Sequence, residues 1–340
     1  MFYDSLSDGN SHMLQIGSIK LENDLIMAPM AGITNLPFRL IVKSFGAGLV
    51  TSEMVSAMGL SLNQKKTLAY LNSHPQEKPL AVQIFGAKPD IMAKAVMITI
   101  DAGADMVDIN MGCPVKKVIK AGAGAALLRN PKLITEIVSA VRMACSVPLT
   151  VKIRSGWSPE EPNALDIAHI VEDCGADAIT LHARFATQGF SGQADWSWIK
   201  RVKEHVRIPI VGNGDIIKPS DALSMKKETG CDGIMVGRSA TNHPWIFRQI
   251  HQLEKGLPAP EPDLSERRSL IMKHFNLLSD AMGEKGAAFA MRGFVLRYTK
   301  GLPLSSRFRG RITQIKDLQS LVAIMDEYFS ELETRYQNGT

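Results

Sequence analysis

Short apolar runs alternate with amphipathic stretches along the first 240 residues of the chain. Eight runs have the near-continuous apolar character of parallel strands that are buried on both faces; they cover residues 25–30, 48–52, 80–85, 106–110, 149–154, 178–182, 208–212 and 233–236. Helical periodicity lies between them, at residues 89–101, 131–144, 163–173, 198–205 and 219–227. Eight strand–helix units in this order predict a (β/α)8 TIM barrel, an α/β fold.

The main alternative to the barrel is a doubly wound sheet. That fold carries a glycine-rich phosphate-binding turn after its first strand. In this chain the corresponding turn reads Pro29-Met30-Ala31-Gly32, which lacks the expected glycine spacing. We therefore expect the barrel over residues 14–256, after a disordered leader at residues 1–13.

The last third of the chain has a different pattern. Residues 257–262 read Leu-Pro-Ala-Pro-Glu-Pro, which is typical of a linker. Beyond them only helical periodicity occurs, at residues 264–281, 287–298 and 312–336. This pattern predicts a small helical bundle over residues 263–340.

Composition narrows the class of protein. The chain is 45% hydrophobic and 21% charged, as is typical of globular proteins. No apolar run approaches the ~18 residues that cross a bilayer, so we expect no membrane contact. The four cysteines lie far apart, without a Cys-x-x-Cys pair, which favours reduced thiols, the cytoplasm and no structural metal.

Polar residues stand where the predicted strands end, and the active sites of TIM barrels lie at that edge. They are Gln83, Asn110, Lys152, Arg154, His182, Arg184, Asn213, Asp215 and Arg238. So many polar groups would be costly in a core, but they suit a bound cofactor. The turns at Gly214 and Gly237, after strands seven and eight, indicate a phosphate site in which Arg238 adds charge.

Two of these side chains have several interpretations. Lys152 could form a Schiff base, stabilise an anionic ring, or pair with Asp108 or Asp215. His182 has no second ligand at metal-binding spacing, so we expect no metal there.

Cys113 lies in a Gly-Cys-Pro turn directly after the fourth strand. A thiol at a strand end is either a nucleophile or a proton donor. Because a free thiol has a pKa near ~8.5, it is mostly protonated at neutral pH and can act as a general acid. We expect a mobile loop here, with Gly122 and Gly124 as hinges.

Basic residues form the second distinctive pattern. Three lysines, 116, 117 and 120, follow Cys113 closely. Residues 285–316 contain no acidic residue but eight basic ones, at positions 285, 292, 297, 300, 307, 309, 311 and 316, interleaved with Phe289, Phe294, Tyr298 and Phe308. A solvated face is one interpretation. A polyanion such as RNA, with bases stacked on the aromatic rings, is the other.

Six segments together resemble the tRNA-dihydrouridine synthases. They are residues 28–34, 108–117, 152–156, 182–184, 213–215 and 237–238. The resemblance runs in order from about residue 14 to the C-terminal helices. It implies an FMN-containing barrel with a helical tRNA-binding domain. One departure is visible, because Ala183 stands where many members have glycine.

The resemblance also implies roles for individual residues. The flavin would meet Pro29, Met30, Ala31, Gln83, Asn110, Lys152 and His182, and its phosphate and ribityl chain would meet Asn213, Gly214, Asp215, Gly237 and Arg238. The tRNA would meet Lys116, Lys117, Lys120, Arg154, Arg184, Arg292, Arg297, Lys300, Arg307, Arg309 and Arg311. Cys113 would be the proton donor.

The reaction that the resemblance implies has two steps. NADPH, or NADH, reduces FMN, and a hydride then passes to C6 of a flipped-out D-loop uracil while Cys113 protonates C5. Lys152 would favour the anionic reduced ring. We expect a monomer with no obligate protein partner. Three other functions stay open: a flavin-dependent barrel that acts on a small molecule such as a dihydropyrimidine, a Schiff-base aldolase, and a non-catalytic RNA-binding protein.

Overall fold

A computed structural model describes residues 13–337 of the 340. Residues 1–12 of the predicted leader and residues 338–340 of the predicted helical bundle lie outside the described residues.

A short antiparallel hairpin precedes the barrel. It consists of β1 (Gln15–Ile16) and β2 (Ile19–Lys20). Leu14, Ile16 and Leu21 pack against Ile26 and Met106, which stand at the beginnings of barrel strands. The hairpin therefore closes the amino-terminal end of the barrel, opposite the predicted site.

Eight parallel strands form a closed barrel, which confirms the predicted TIM barrel. The strands are β3 (Leu25–Met27), β4 (Leu49–Thr51) with its continuation β5 (Val55–Ser56), β6 (Leu80–Phe85), β7 (Met106–Asn110), β8 (Leu149–Arg154), β9 (Ala178–His182), β10 (Ile210–Asn213) and β11 (Gly233–Val236). The last strand, β11, pairs with the first, β3, and β4 pairs with β6, so the sheet closes.

Helices surround the barrel. They are α1 (Leu36–Ser44), α2 (Ala57–Ser61), α3 (Lys65–Leu68), α4 (Pro89–Asp101), α5 (Lys116–Lys120), α6 (Pro131–Ala144), α7 (Ala164–Asp173), α8 (Ser197–Lys203), α9 (Pro219–Thr229), α10 (Arg238–Asn242) and α11 (Ile246–Glu254). Short 3₁₀ turns occur at Ala69–Leu71, Pro75–Glu77 and Gly124–Arg129. Proline begins α4, α6 and α9, where its missing N–H has no intrahelical partner to lose.

Strand register arranges the inward side chains in levels. Gln83, Asp108 and Thr150 are register partners on three adjacent strands. Asn110 pairs in the same way with Lys152, one level nearer the carboxyl ends. Because side chains alternate along a strand, residues two apart point into the same barrel interior. The polar residues predicted from strand ends therefore converge on one mouth.

As far as residue 337, four helices follow the barrel: α12 (Leu264–Met282), α13 (Glu284–Tyr298), α14 (Ser305–Ile312) and α15 (Leu318–Gln337). The first agrees with the predicted helix at residues 264–281. The second contains the predicted helix at residues 287–298 but begins earlier, at Glu284. The predicted helix at residues 312–336 is wrong at its start, because α15 begins at Leu318 and α14 is a separate element. Only Phe308 and Ile312 of α14 are buried, so its hydrophobic pattern is too sparse to reveal it.

The C-terminal helices pack directly on the barrel. Phe294 stacks on Phe38 of α1 with the ring centroids 5.6 Å apart. The Arg267 guanidinium lies 5.4 Å from the Trp245 ring centroid and donates a hydrogen bond to the Tyr298 carbonyl oxygen. One apolar cluster runs through both parts. The division into two domains with a linker at residues 257–262 stays a prediction, although those residues form no helix or strand in the structure.

Within residues 13–337, no helix is long and apolar enough to cross a bilayer.

Candidate active site

Lys152 lies at the centre of the barrel mouth. Its Nζ donates a hydrogen bond of 3.0 Å to Oδ1 of Asn213, whose Nδ2 in turn donates to the Met235 carbonyl oxygen. Burial and the neighbouring Arg154 lower the pKa of Lys152 to about 8. In the described part of the chain it forms no ion pair, so the alternative of a structural pair with a carboxylate is wrong.

Asp215 binds an arginine rather than Lys152. Its carboxylate accepts two hydrogen bonds from Nη2 of Arg184, at 2.8 and 2.7 Å, and another from the Ala194 N–H. Arg238 approaches the same carboxylate at 3.4 Å and keeps an exposed side chain. Asp215 thus neutralises Arg184 and leaves Arg238 available at the rim.

His182 is the buried imidazole of the mouth. Burial, reinforced by Lys152, Arg154, Arg184 and Arg238, lowers its pKa well below the ordinary value. The ring is therefore neutral at pH 7, and it can donate or accept a hydrogen bond without adding charge. No cluster of three His, Cys, Asp or Glu side chains in residues 13–337 is placed to hold a metal.

The Cys113 turn is anchored on three sides. Asn110 Oδ1 accepts the Cys113 N–H at 3.0 Å, and Arg154 Nε donates to the Gly112 carbonyl oxygen at 2.7 Å. The Cys113 carbonyl oxygen accepts the Ala125 N–H at 3.0 Å. Gly124 packs closely against this turn. The structure thus gives Gly124 a packing role, and the hinge role of Gly122 and Gly124 stays a prediction.

The Cys113 thiol is partly buried beside two cations. Burial raises the pKa of the thiol, and this effect exceeds the opposite effect of Arg154 and Lys152. A thiol with a raised pKa carries its proton at neutral pH. The electrostatics therefore favour proton donation over attack by a thiolate.

The mouth suits an anion with a hydrogen-bonding ring. It gathers four cationic side chains, those of Lys152, Arg154, Arg184 and Arg238, against the carboxylate of Asp215, while Asp108 lies one level deeper in the barrel. Gly237 precedes α10, whose first N–H groups lack intrahelical acceptors. A Cβ atom on Gly237 would meet only the Ala28 side chain, at 3.7 Å. The residues present thus fit a phosphate at α10 and a ring beside Lys152.

The turn that carries Pro29, Met30 and Ala31 is fixed by a residue that the sequence did not reveal. Glu53 Oε2 accepts the Gly32 N–H at 2.5 Å, and burial raises the pKa of this carboxyl. No sequence signal marks Glu53, because it stands in the irregular segment between β4 and β5.

Phe190 is the second residue that sequence reasoning missed. Its ring is 57% exposed and lies at the mouth, 4.8 Å from the Arg238 guanidinium carbon and 5.6 Å from that of Arg154. Its centroid is 6.2 Å from that of His182. An aromatic residue in the glycine-containing loop after strand β9 was the available signal. The ring is placed to contact whatever enters the mouth.

The predicted RNA contacts near the barrel separate into two groups. Lys116, Lys117 and Lys120 are exposed on α5, directly beyond the Cys113 turn. Arg154 and Arg184 are each only 2% exposed, and their guanidinium groups donate hydrogen bonds to backbone carbonyl oxygens. These two arginines can therefore meet only a group that enters the mouth.

The C-terminal basic residues also differ in availability. Arg307 and Arg311 form ion pairs with Glu331 and Glu327, at 3.6 and 2.5 Å. Arg292 donates to the Ile315 carbonyl oxygen, and Arg297 lies over the Phe294 ring. Lys300 and Arg309 are exposed and form no ion pair within residues 13–337. Among the predicted tRNA contacts of the C-terminal helices, these two have no ion-pair partner in the described residues and are exposed to a polyanion.

The expectation that the interleaved aromatic residues stack on bases is wrong for three of them. Phe294, Tyr298 and Phe308 are buried in the helical core. Phe308 stacks on Tyr328 with the centroids 3.9 Å apart. Only Phe289, which is 72% exposed, remains accessible.

Fold and mouth together define a TIM-barrel enzyme. Residues 26–333 match the dihydrouridine synthase (Dus) family, and the chain belongs to that family. The resemblance seen in the sequence is thereby confirmed.

Named relatives agree over nearly the whole chain. The chain is 40% identical to tRNA-dihydrouridine synthase B of Shewanella oneidensis over 323 residues, which cover 94% of this chain and 99% of the relative. It is 41% identical to tRNA-dihydrouridine synthase B of Proteus vulgaris over 317 residues, with coverage of 93% and 98%.

Solved structures share the fold. Histamine dehydrogenase from Rhizobium sp. 4-9 superposes with a TM-score of 0.59 at 14% identity, covering 79% of this chain and 51% of that one. Morphinone reductase superposes with a TM-score of 0.53 at 15% identity, covering 75% of this chain and 91% of that one. Identities this low establish the barrel alone.

Proposed function

We propose that this protein is a tRNA-dihydrouridine synthase, an oxidoreductase that reduces the C5=C6 bond of a D-loop uridine in tRNA with FMN and NADPH or NADH. Family membership and the two relatives named tRNA-dihydrouridine synthase B support the reaction class. The observation that carries the chemistry is the Cys113 thiol. It keeps its proton and is held on an anchored turn beside a cationic mouth.

The proposed cofactor is FMN, which supplies the hydride once NADPH or NADH has reduced it. Lys152, Gln83, Asn110 and His182 would surround its ring, together with the turn at residues 29–31. Asn213, Gly214 and Asp215 would line the ribityl side, and Gly237 and Arg238 the phosphate. The excess of cations over carboxylates at the mouth supports an anionic ligand of this kind.

Each mouth residue then has a physical task. Lys152, held by Asn213, places a positive charge beside the ring and favours negative charge there. Asn110 and Arg154 fix the backbone that carries Cys113. Cys113 donates its proton to C5 of the uracil, while the cationic surroundings stabilise the thiolate that remains. Phe190, beside Arg154, Arg238 and His182, would contact the base that enters the mouth.

The proposed substrate is a base that leaves the RNA stack, since the mouth lies within the barrel and not on a flat surface. Lys116, Lys117 and Lys120 on α5 and the cations Lys300 and Arg309 would bind phosphates around it. We propose that the protein works in the cytoplasm as a monomer.

A Schiff-base aldolase is the second candidate, because the pKa of Lys152, about 8, makes its amine more reactive than an ordinary lysine. Borohydride treatment with carbonyl substrates distinguishes the two. The aldolase would acquire a stable adduct on Lys152, whereas the proposed reductase would not.

The direct test of the proposed function is the dihydrouridine content of tRNA from cells that lack the gene. Dihydrouridine should vanish from one or more D-loop positions and return when the wild-type gene is restored. An unchanged dihydrouridine map would contradict the proposal. Purified protein should be yellow, with the absorption spectrum of bound flavin.

A further inference from the structure

Asp108 is a buried carboxylate that the proposed chemistry does not use. It is 3% exposed and lies one level below the mouth, between strands β6 and β8. It forms no ion pair within residues 13–337. Its two hydrogen-bond partners are neutral: Thr150 Oγ1 and Gln83 Nε2, each at 2.6 Å. Burial of such a group is costly, so its connections are informative.

A chain of hydrogen bonds leads from Asp108 to Cys113. Gln83 Nε2 donates to Asp108, and Gln83 Oε1 accepts from Asn110 Nδ2 at 2.7 Å. Asn110 Oδ1 then accepts the N–H groups of Gly112, at 3.3 Å, and of Cys113, at 3.0 Å. Every link but the turn itself is buried.

The direction of this chain is fixed at both ends. Backbone N–H groups can only donate, so Asn110 must turn its oxygen toward Cys113 and its NH₂ toward Gln83. Gln83 must then present its own oxygen to Asn110 and its NH₂ to Asp108. An acceptor is therefore required at position 108. A carboxylate satisfies this requirement, and a protonated carboxyl also does so if its O–H points at Thr150.

We propose that Asp108 is a positioning residue for Cys113, acting through the amide groups of Gln83 and Asn110 to hold the Gly112–Cys113 turn. This inference rests on the proposed function, in which Cys113 is the proton donor. If the Asn110 amide turned over, its NH₂ group would face the Cys113 N–H. If the Gln83 amide turned over, its NH₂ group would face the NH₂ of Asn110. Either change would cost the turn its hydrogen bond to Asn110.

Three variants separate positioning from mere packing. Asp108→Val removes the acceptor and introduces a β-branched side chain, which suits a strand. Asp108→Asn keeps an oxygen for Gln83, while its NH₂ faces the Thr150 hydroxyl, which can rotate to accept it. Thr150→Val is the matched control, because it removes the other hydrogen bond of Asp108 at the same depth and leaves the chain to Cys113 intact.

Uridine reduction and NADPH oxidation are measured separately. Asp108→Val should lower the single-turnover rate of uridine reduction by pre-reduced enzyme about tenfold or more. The rate of NADPH oxidation without tRNA and the KM for tRNA should change by less than about twofold. Asp108→Asn should recover most of the uridine rate, and Thr150→Val should keep it.

Alkylation of Cys113 gives a readout that does not depend on catalysis. Iodoacetamide labelling, followed on the Cys113 peptide by mass spectrometry, should be about fivefold faster in Asp108→Val, because a loosened turn exposes the thiol. Thr150→Val should label at the wild-type rate. If wild-type enzyme reduced no uridine, the proposed function would fail, yet the labelling comparison would still test the positioning role.

Equal behaviour of Asp108→Val and Thr150→Val in both assays would overturn the inference, as would a parallel loss of both half-reactions in Asp108→Val. If Asp108→Val does not fold, the double variant Asp108→Asn/Thr150→Val replaces it. Without the Thr150 hydroxyl, the amide at 108 has only Gln83 as a partner, and both orientations compete. The double variant should lose more uridine rate than its two single variants combined, and simple additivity would contradict the chain.

Discussion

The carbonyl oxygen of Cys113 lies 2.7 Å from the position that a Cβ atom would take on Gly124. The same Cβ atom on Gly124 would lie 2.8 Å from Cγ1 of Val118. Gly124 has φ +61°, in the left-handed region that favours glycine. Only a residue without a side chain can therefore pack against the turn that presents the thiol.

Gly124→Ala should slow uridine reduction about tenfold, because the added methyl group pushes the Cys113 turn from its place. It should also lower the free energy of unfolding by about 1–3 kcal/mol. Gly122→Ala is the matched control: Gly122 also has a positive φ, +72°, but its Cβ would meet only the Ala87 side chain, at 3.5 Å. Chemical denaturation and single-turnover assays measure both effects. Equal slowing in the two variants would show that backbone strain, and not the contact with Cys113, is responsible.

The charge of Lys152 should control cofactor affinity. Because its pKa is lowered to about 8, the side chain is largely charged at pH 7 and largely neutral at pH 9.5. FMN binding by the apoprotein should weaken about threefold or more over this range, as the cation disappears. Lys152→Met has no charge at either pH, so its affinity should be lower and nearly flat with pH. Titration of FMN fluorescence measures the affinity of both proteins. If the affinities of wild-type protein and Lys152→Met changed in parallel with pH, Lys152 would not be the group responsible.

Lys300 and Arg309, two exposed cations of the C-terminal region, should contribute to tRNA affinity. Reversing Lys300 and Arg309 to glutamate should weaken tRNA binding and reduce the salt slope by about two, one for each lost phosphate contact. Lys200→Glu with Lys227→Glu is the matched control, since both lysines are exposed on barrel-wall helices and the net charge change is the same. Filter binding over a range of salt concentrations measures both slopes. If tRNA affinity fell equally in the two double variants, net charge alone, and not the position of Lys300 and Arg309, would explain the loss.

The barrel could be predicted from the sequence because its local signals agree. Pro89 and Pro131 mark the first residues of α4 and α6, and the predicted ends of both helices coincide with the structure. Strand ends also located the mouth residues, since TIM barrels present them at one edge. The sparse apolar pattern of α14 left that helix unpredicted.

Pairings within the site could not be predicted, because they depend on strand register and packing. Lys152 binds Asn213, 61 positions away, and not a carboxylate. The basic stretch concealed that Phe294 and Tyr298 belong to the core that joins the helices to the barrel. Phe190 reaches the mouth through the fold of its loop, which no periodicity describes.

In the proposed reaction, Cys113 donates the proton to C5 of uridine. The most direct test mixes pre-reduced Cys113→Ala enzyme with unmodified tRNA and follows dihydrouridine formation in a single turnover. The variant should keep its bound FMN and oxidise NADPH within about twofold of the wild-type rate, while uridine reduction falls about 100-fold or more. Dihydrouridine formation at the wild-type rate would contradict the account.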